Sequence, residues 1–261
     1  MKMNPEHAIE MSIVDQRNVL TLNSHLPSGE PVPLSELLSV ARSLHVTADR
    51  WANVVIEVAP RQGNPIECPG CGLGHCCRMP LFSTMIDALP VAVELDHFGL
   101  NDLEYRRELR RVGDLHERAI EMGTEEVEPI ACPFLTRENR CFMYKNRPPN
   151  CRTYLVTGGK DACTPRAMRA DGLRPKVGTV DSGMVTKHVL KTMGGFAAYL
   201  GWPERAQYSR AHALLVAMWL EVFAVEMDDP WGYVRDQCVL PMENFMRMVH
   251  RQAGKTCVFF L

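Results

Sequence analysis

CPGCGLGHCC, residues 68–77, puts four thiols into ten positions with too much glycine to carry a hydrophobic period. A segment of this kind takes its shape from something other than a packed apolar face. A C-x-x-C turn lets two sulfurs point at one centre, as in zinc knuckles and iron–sulfur loops. Glycines 70, 72 and 74 permit the tight backbone and free amide N–H groups to hydrogen-bond to sulfur. Burying several thiolates without a counter-charge is prohibitive, so a cation is their natural neutraliser. The vicinal pair Cys76-Cys77 is the odd feature. Adjacent side chains diverge, and one of the two is expected to serve a second ion or to stay a free thiol.

Working outward, the remaining six of ten cysteines decide what this cluster joins. Cys132, Cys141, Cys151 and Cys163 form a second block, while Cys238 and Cys257 stand apart. Cys238 lies in an apolar helical stretch, where a buried thiol acts as a small hydrophobe, and Cys257 has no assignable role. The 261 residues are 46% hydrophobic, enough for a core without disulfide staples. A net charge of -2 gives no global electrostatic case for nucleic acid or an anionic membrane. The first residues lack an apolar secretory core, and the most apolar run, AHALLVAMWLEVFAV at 211–225, is short for a membrane span and contains Glu221. A buried core helix and a cytoplasmic location are expected. In that compartment clustered cysteines indicate metal or redox chemistry more than structural disulfides. A thioredoxin-type C-x-x-C should follow a strand and open a helix, whereas Cys71 leads into more glycine and cysteine.

Elsewhere the pattern is mainly α. Residues 35–60 read as two helices: Leu34, Leu37, Leu38, Ala41 and Leu44 share one face, and Thr47 is placed to cap a second helix that ends before Pro60. SIVDQRNVLTLNS, 12–24, reads as a short strand or hairpin. FSTMIDALPVAVELDHFG, 82–99, reads as a helix interrupted or ended near Pro90. From Asn101 an exposed helix is expected, with Asn101 and Glu104 at capping-box spacing and charge pairs Glu104–Arg107, Glu108–Arg111 and Asp114–Arg118. EEVEP, 125–129, reads as a solvated linker. Three further helices are expected at 182–202, 204–227 and 229–252. The expected organisation is an N-terminal helical segment (1–60), an irregular cysteine-rich metal-binding module (61–170) and a C-terminal helical region packing on it (171–261).

The second block, CPFLTRENRCFMYKNRPPNCRTY at 132–154, carries further chemistry. Guanidinium donors at Arg147 and Arg152, flanking Cys151, would offset thiolate charge, with surface ion pairing as the alternative. Pro148 and Pro149 stiffen the approach to Cys151. Tyr144 and Tyr154 read as packing residues. His75 is a secondary nitrogen donor within the first block. His97, His116, His188 and His212 show no spacing of a second metal motif, and no H-E-x-x-H, P-loop, dinucleotide fingerprint or radical-SAM triplet is present.

Together the two blocks resemble the CxxCxxCC family of zinc- or iron-chelating domains, also called YkgJ-type cysteine-cluster proteins. The matching residues are Cys68, Cys71, Cys76 and Cys77, then Cys132-Pro-Phe-Leu135, Cys141, Tyr144, Arg147, Pro148, Cys151, Arg152 and Tyr154, with Cys163 as a later cysteine. The spacing departs at one point, where four residues, Gly72 to His75, separate Cys71 from Cys76. The resemblance covers about Cys68 to Cys163. It makes all eight of these cysteines candidate metal ligands, as two four-thiolate sites or as one cluster site with thiols to spare. Relatives include flagellin lysine methylases, where a similar cysteine set accompanies a [4Fe-4S] cluster, so the resemblance leans to iron–sulfur over zinc. Three functional readings follow: a metal-binding module with a structural or redox-poised centre, a metal-dependent methyltransferase or oxidoreductase, and a carrier with an exchangeable thiolate site. No catalytic residue is nominated. The expected partners are a metal ion or cluster and an unidentified protein, without nucleic acid or membrane.

Overall fold

The computed structural model describes residues 34–58, 60, 66, 74, 76–122, 130–155 and 209–225. The expected strand or hairpin at 12–24, the acidic linker at 125–129 and the helices at 182–202 and 229–252 lie outside the described residues. Within them the protein is mainly α, as the periodicity predicts.

Helix α1 spans Leu34–Val58 as a single element rather than two. Its buried stripe, Leu37, Ala41, Leu44, Ala48 and Ala52, keeps helical spacing across Thr47. Neither glycine nor proline interrupts the stretch, and a β-branched threonine inside a helix costs only a few tenths of a kcal/mol, roughly. The packed stripe therefore outweighs the local stop signal.

Strand β1 (Phe82–Thr84) feeds directly into helix α2 (Met85–His97). Thr84 and Asp87 close a reciprocal capping box. Asp87 N donates to Thr84 Oγ1 at 3.3 Å, and Asp87 Oδ2 accepts from Thr84 N at 3.2 Å and Thr84 Oγ1 at 2.6 Å. Contrary to expectation, Pro90 neither breaks nor ends α2. Its missing backbone donor costs about 3 kcal/mol in a helix interior. Burial of nine residues, Met85 through Ala92 plus Leu95, offsets that cost. The helix stops instead at Phe98 and Gly99, where Gly99 takes φ 72° and its amide reaches Asp96 O.

Helix α3 (Leu103–Met122) is capped by Asp102, whose Oδ1 accepts from Tyr105 N at 2.8 Å. Asn101, the expected cap, bonds Asp96 and Arg106 instead. The Glu108–Arg111 pair forms at 2.6 Å. The helix is not simply exposed: Leu109, Val112, His116 and Ala119 are buried along one face. Helix α4 (Pro149–Thr153) is short and begins with proline at its first turn.

Strand β2 (Ser209–Ala211) pairs antiparallel with β1, with Phe82 opposite Ala211 and Thr84 opposite Ser209. The helix expected from 204 thus begins only at His212, as α5 (His212–Ala224), because the preceding residues are drawn into the ladder. Glu117 fixes that strand, accepting from Arg210 Nε and NH2 at 2.6 Å each and from Ala211 N at 3.2 Å. As expected, α5 is the core helix, buried from His212 to Leu220 and at Val222. It packs on α2 and α3, and α1 packs on α2 and α4. Trp219 Nε1 donates to Met85 O at 2.7 Å, and Arg110 on α3 clasps Glu221. No described helix is long and apolar enough to cross a membrane.

Candidate metal centre

Five of the eight candidate ligands are described, and all five are free thiols: Cys76, Cys77, Cys132, Cys141 and Cys151. Cys68, Cys71 and Cys163, with His75, lie outside the described residues.

The local folding of each block is legible. Cys76–Arg78 is one turn of 3-10 helix, entered from Gly74 at φ 62°, whose carbonyl accepts from Cys77 N at 3.1 Å. A Cβ at Gly74 would lie 3.1 Å from Asn139 Cβ and 3.2 Å from Leu135 Cδ1, so glycine lets the first block press against the second. The second block folds back on itself. Leu135 bridges Cys141, Phe142 N donates to Phe134 O at 2.7 Å, and Asn139 turns the chain at φ 57°. The blocks are joined by Cys132 N, which donates to Cys77 O at 2.6 Å.

Electrostatics show how close the sulfurs lie. The Cys77 thiol hydrogen-bonds to the Cys76 sulfur, and this, with help from Arg147, brings Cys76 down to about 6. Cys77 is pushed up by that same hydrogen bond, then by burial and the fields of Cys76, Cys132 and Cys151. Burial pushes Cys132 up to about 12, with Cys141 and Cys76 adding to it. Cys151 is raised by burial and by Cys132, Cys76 and Cys141, and Cys141 by burial above all. At Cys77, Cys132, Cys141 and Cys151 the neighbouring sulfurs thus penalise ionisation, the arrangement that a shared cation reverses. The donor set suits zinc or iron, both of which take thiolate ligands. Among the described residues no three His, Cys, Asp or Glu side chains could by themselves hold an ion.

The arginines divide their work. Arg147 lies 3.7 Å over the Tyr144 ring and favours thiolate at Cys76, Cys141 and Cys151, the charge-offsetting role expected of it. Arg152 is buried, and its guanidinium bonds Asp49 on α1 and the carbonyls of Lys145 and Arg147. Its main work is holding the cysteine segment to α1. Tyr154 packs as expected, its hydroxyl reaching Met79 Sδ at 3.6 Å.

Sequence reasoning missed a buried polar layer beside this region. His45, Ser83, Thr84, Asp87, His116 and His212 are all buried. His212 Nδ1 lies 2.7 Å from Ser83 Oγ, and the ring sits edge-on to Phe134. His45 was findable, because it occupies the apolar stripe of α1 between Ala41 and Ala48.

Two blocks of free thiols thus meet on a mainly helical scaffold. Residues 67–168 match the family model CxxCxxCC, described as "Putative zinc- or iron-chelating domain", a match that supports metal binding by this part of the chain. Comparison with curated proteins and with solved structures finds no match.

Proposed function

We propose that the chain is a metal-binding protein whose Cys68, Cys71, Cys76, Cys77, Cys132, Cys141, Cys151 and Cys163 hold an iron–sulfur cluster, of the [4Fe-4S] type, or zinc. The observation that carries this reading is the union of two distant blocks, with Cys132 N on Cys77 O at 2.6 Å and five free thiols within each other's fields. Thiolate ligation would supply either a closed structural site or a redox-poised one. Arg147 would balance part of the negative charge, while Arg152 keeps the Cys141–Cys151 segment seated on α1. The module is assigned to 61–170, flanked by helical parts at 1–60 and 171–261. A reducing cytoplasmic setting suits its unpaired thiols.

A carrier with an exchangeable site is the second reading, and it is favoured by one observation: Cys76 is exposed and its thiol sits near 6. The enzyme reading ranks below both. Arg147, Arg152 and Tyr154 are engaged by Tyr144, Asp49, backbone carbonyls and Met79 rather than being free for a substrate.

The test is anaerobic purification, metal analysis and an absorption spectrum. Iron with sulfide and visible thiolate-to-iron absorption selects the cluster, a colourless zinc-loaded protein selects zinc, and metal lost on dialysis selects the carrier. A metal-free protein whose thiols sit as cystines sinks all three.

A further inference from the structure

The polar layer behind the cysteine segment is not used by the metal centre, and it contains an accounting problem. His45 on α1, Asp87 on α2, His116 on α3 and His212 on α5 are each at least nine-tenths buried. Each presents an atom with no hydrogen-bond partner among the described residues: His45 Nε2, Asp87 Oδ1, His116 Nδ1 and His212 Nε2. Such an atom costs on the order of 1–3 kcal/mol, so folded proteins nearly always provide a protein group or an ordered water.

Two of the four face one another. His45 Nε2 and Asp87 Oδ1 are 4.0 Å apart, with side chains 6% and 3% exposed. That is about 1 Å beyond a direct hydrogen bond. The other carboxylate oxygen of Asp87 is already occupied by two donors from Thr84. Oδ1 is therefore a bare acceptor, pointed at a ring nitrogen that it does not reach.

We propose that one ordered water molecule bridges His45 Nε2 and Asp87 Oδ1 and ties α1 to α2 behind the cysteine segment. A water oxygen about 2.8 Å from each atom spans the separation with an angle of about 90° between its partners. Both partners are polar and buried, which is what retains an internal water. A metal ion fits less well. Two protein donors leave a tetrahedral ion two ligands short, and no third donor among the described residues completes a set. Direct closure fits less well too, since it would draw α1 and α2 together by about an ångström through a region where Leu44, Ala48, Ala88 and Leu89 are already buried and interiors are close-packed. The position matters because Arg152, which clamps the cysteine segment to Asp49, lies within electrostatic reach of both His45 and Asp87. The bridge would hold α1 and α2 in register beside that clamp. This inference stands independently of which metal the cysteines hold.

The test is a high-resolution crystal structure of the full chain, with anomalous data collected at the zinc and iron edges. The expected result is a single non-anomalous peak within hydrogen-bond distance of both atoms, absent in His45→Leu. Water–protein cross-relaxation from the His45 ring protons in solution should show a long-lived water, also lost in that variant. An anomalous peak at the site, a direct His45–Asp87 hydrogen bond, a side chain filling the position, or no long-lived water would each overturn the proposal.

Discussion

Arg152, the residue after Cys151, is bonded through its guanidinium to Asp49 on α1 while its remaining donors hold the carbonyls of Lys145 and Arg147. The two ends of this ion pair differ in surroundings: the Arg152 side chain is 5% exposed and that of Asp49 is 46% exposed. Deleting Asp49 leaves a buried guanidinium without its counter-charge, and deleting Arg152 strands two carbonyls and opens a hole. Arg152→Ala and Asp49→Ala should therefore each cost roughly 3 kcal/mol. Urea unfolding of both variants checks this, and a loss under about 1 kcal/mol for Asp49→Ala would mean that the two carbonyls alone satisfy the guanidinium.

The cysteines should separate by role. Cys151→Ser and Cys71→Ser are expected to empty the metal site or to lower metal affinity by more than about 100-fold, since disturbing even the outer partners of metal ligands costs 10–100-fold. Stability should fall with the metal, because ligand binding and folding are coupled. Cys238→Ser should leave metal content unchanged. Metal analysis of the three anaerobic preparations decides the matter, and equal effects at all three positions would point to thiol burial rather than ligation.

Gly113 on α3 lies directly against Leu214 on α5. A Cβ there would sit 2.7 Å from Leu214 Cβ and 2.7 Å from Leu214 N. Helix propensity alone favours alanine by about 1 kcal/mol. The obstacle is partly backbone, so the helices would have to separate, and overpacking of this kind costs about 1–3 kcal/mol. Gly113→Ala should therefore lower the melting temperature by several degrees, and a rise would mean that the helices slide apart freely.

What the sequence revealed, and what it hid, follows from the range of the forces involved. The core character of α5 and the buried stripe of α1 could be read directly, because the apolar pattern is itself the cause of burial. Thr47 and Pro90 misled because each is a local signal overruled by packing against distant segments. Ser209–Ala211 became a strand only because Phe82–Thr84 is available to pair with it, which no local window contains. The cysteine blocks stood out through residue type and spacing, but the joining of Cys77 to Cys132 and the clamp by Arg152 depend on contacts across the chain. The buried histidines were hidden for the same reason: His116 and His212 are 96 positions apart in sequence, yet His116 contributes to the field at His212.

That buried layer makes stability depend on pH with a definite sign. Burial above all brings His45 and His212 down from 6.5 to about 3, so between those values the unfolded chain binds one more proton at each. Asp87 behaves oppositely. Burial raises it from 3.8 to about 6, against the pull of Thr84 and Arg152, so between pH 4 and 6 the folded chain holds the extra proton there. Two histidines against one aspartate leave the unfolded state with one net extra proton in that window. Stability should therefore fall on acidification, by on the order of 1 kcal/mol per pH unit from pH 6 to 4. His116, also lowered by burial, acts in the same direction. Asp87→Asn removes the opposing contribution, and the slope should roughly double. Denaturant midpoints from pH 4 to 7, taken on metal-free protein so that thiol chemistry does not intrude, measure both slopes. A wild-type curve that rises on acidification would mean that the histidines are not held neutral in the core.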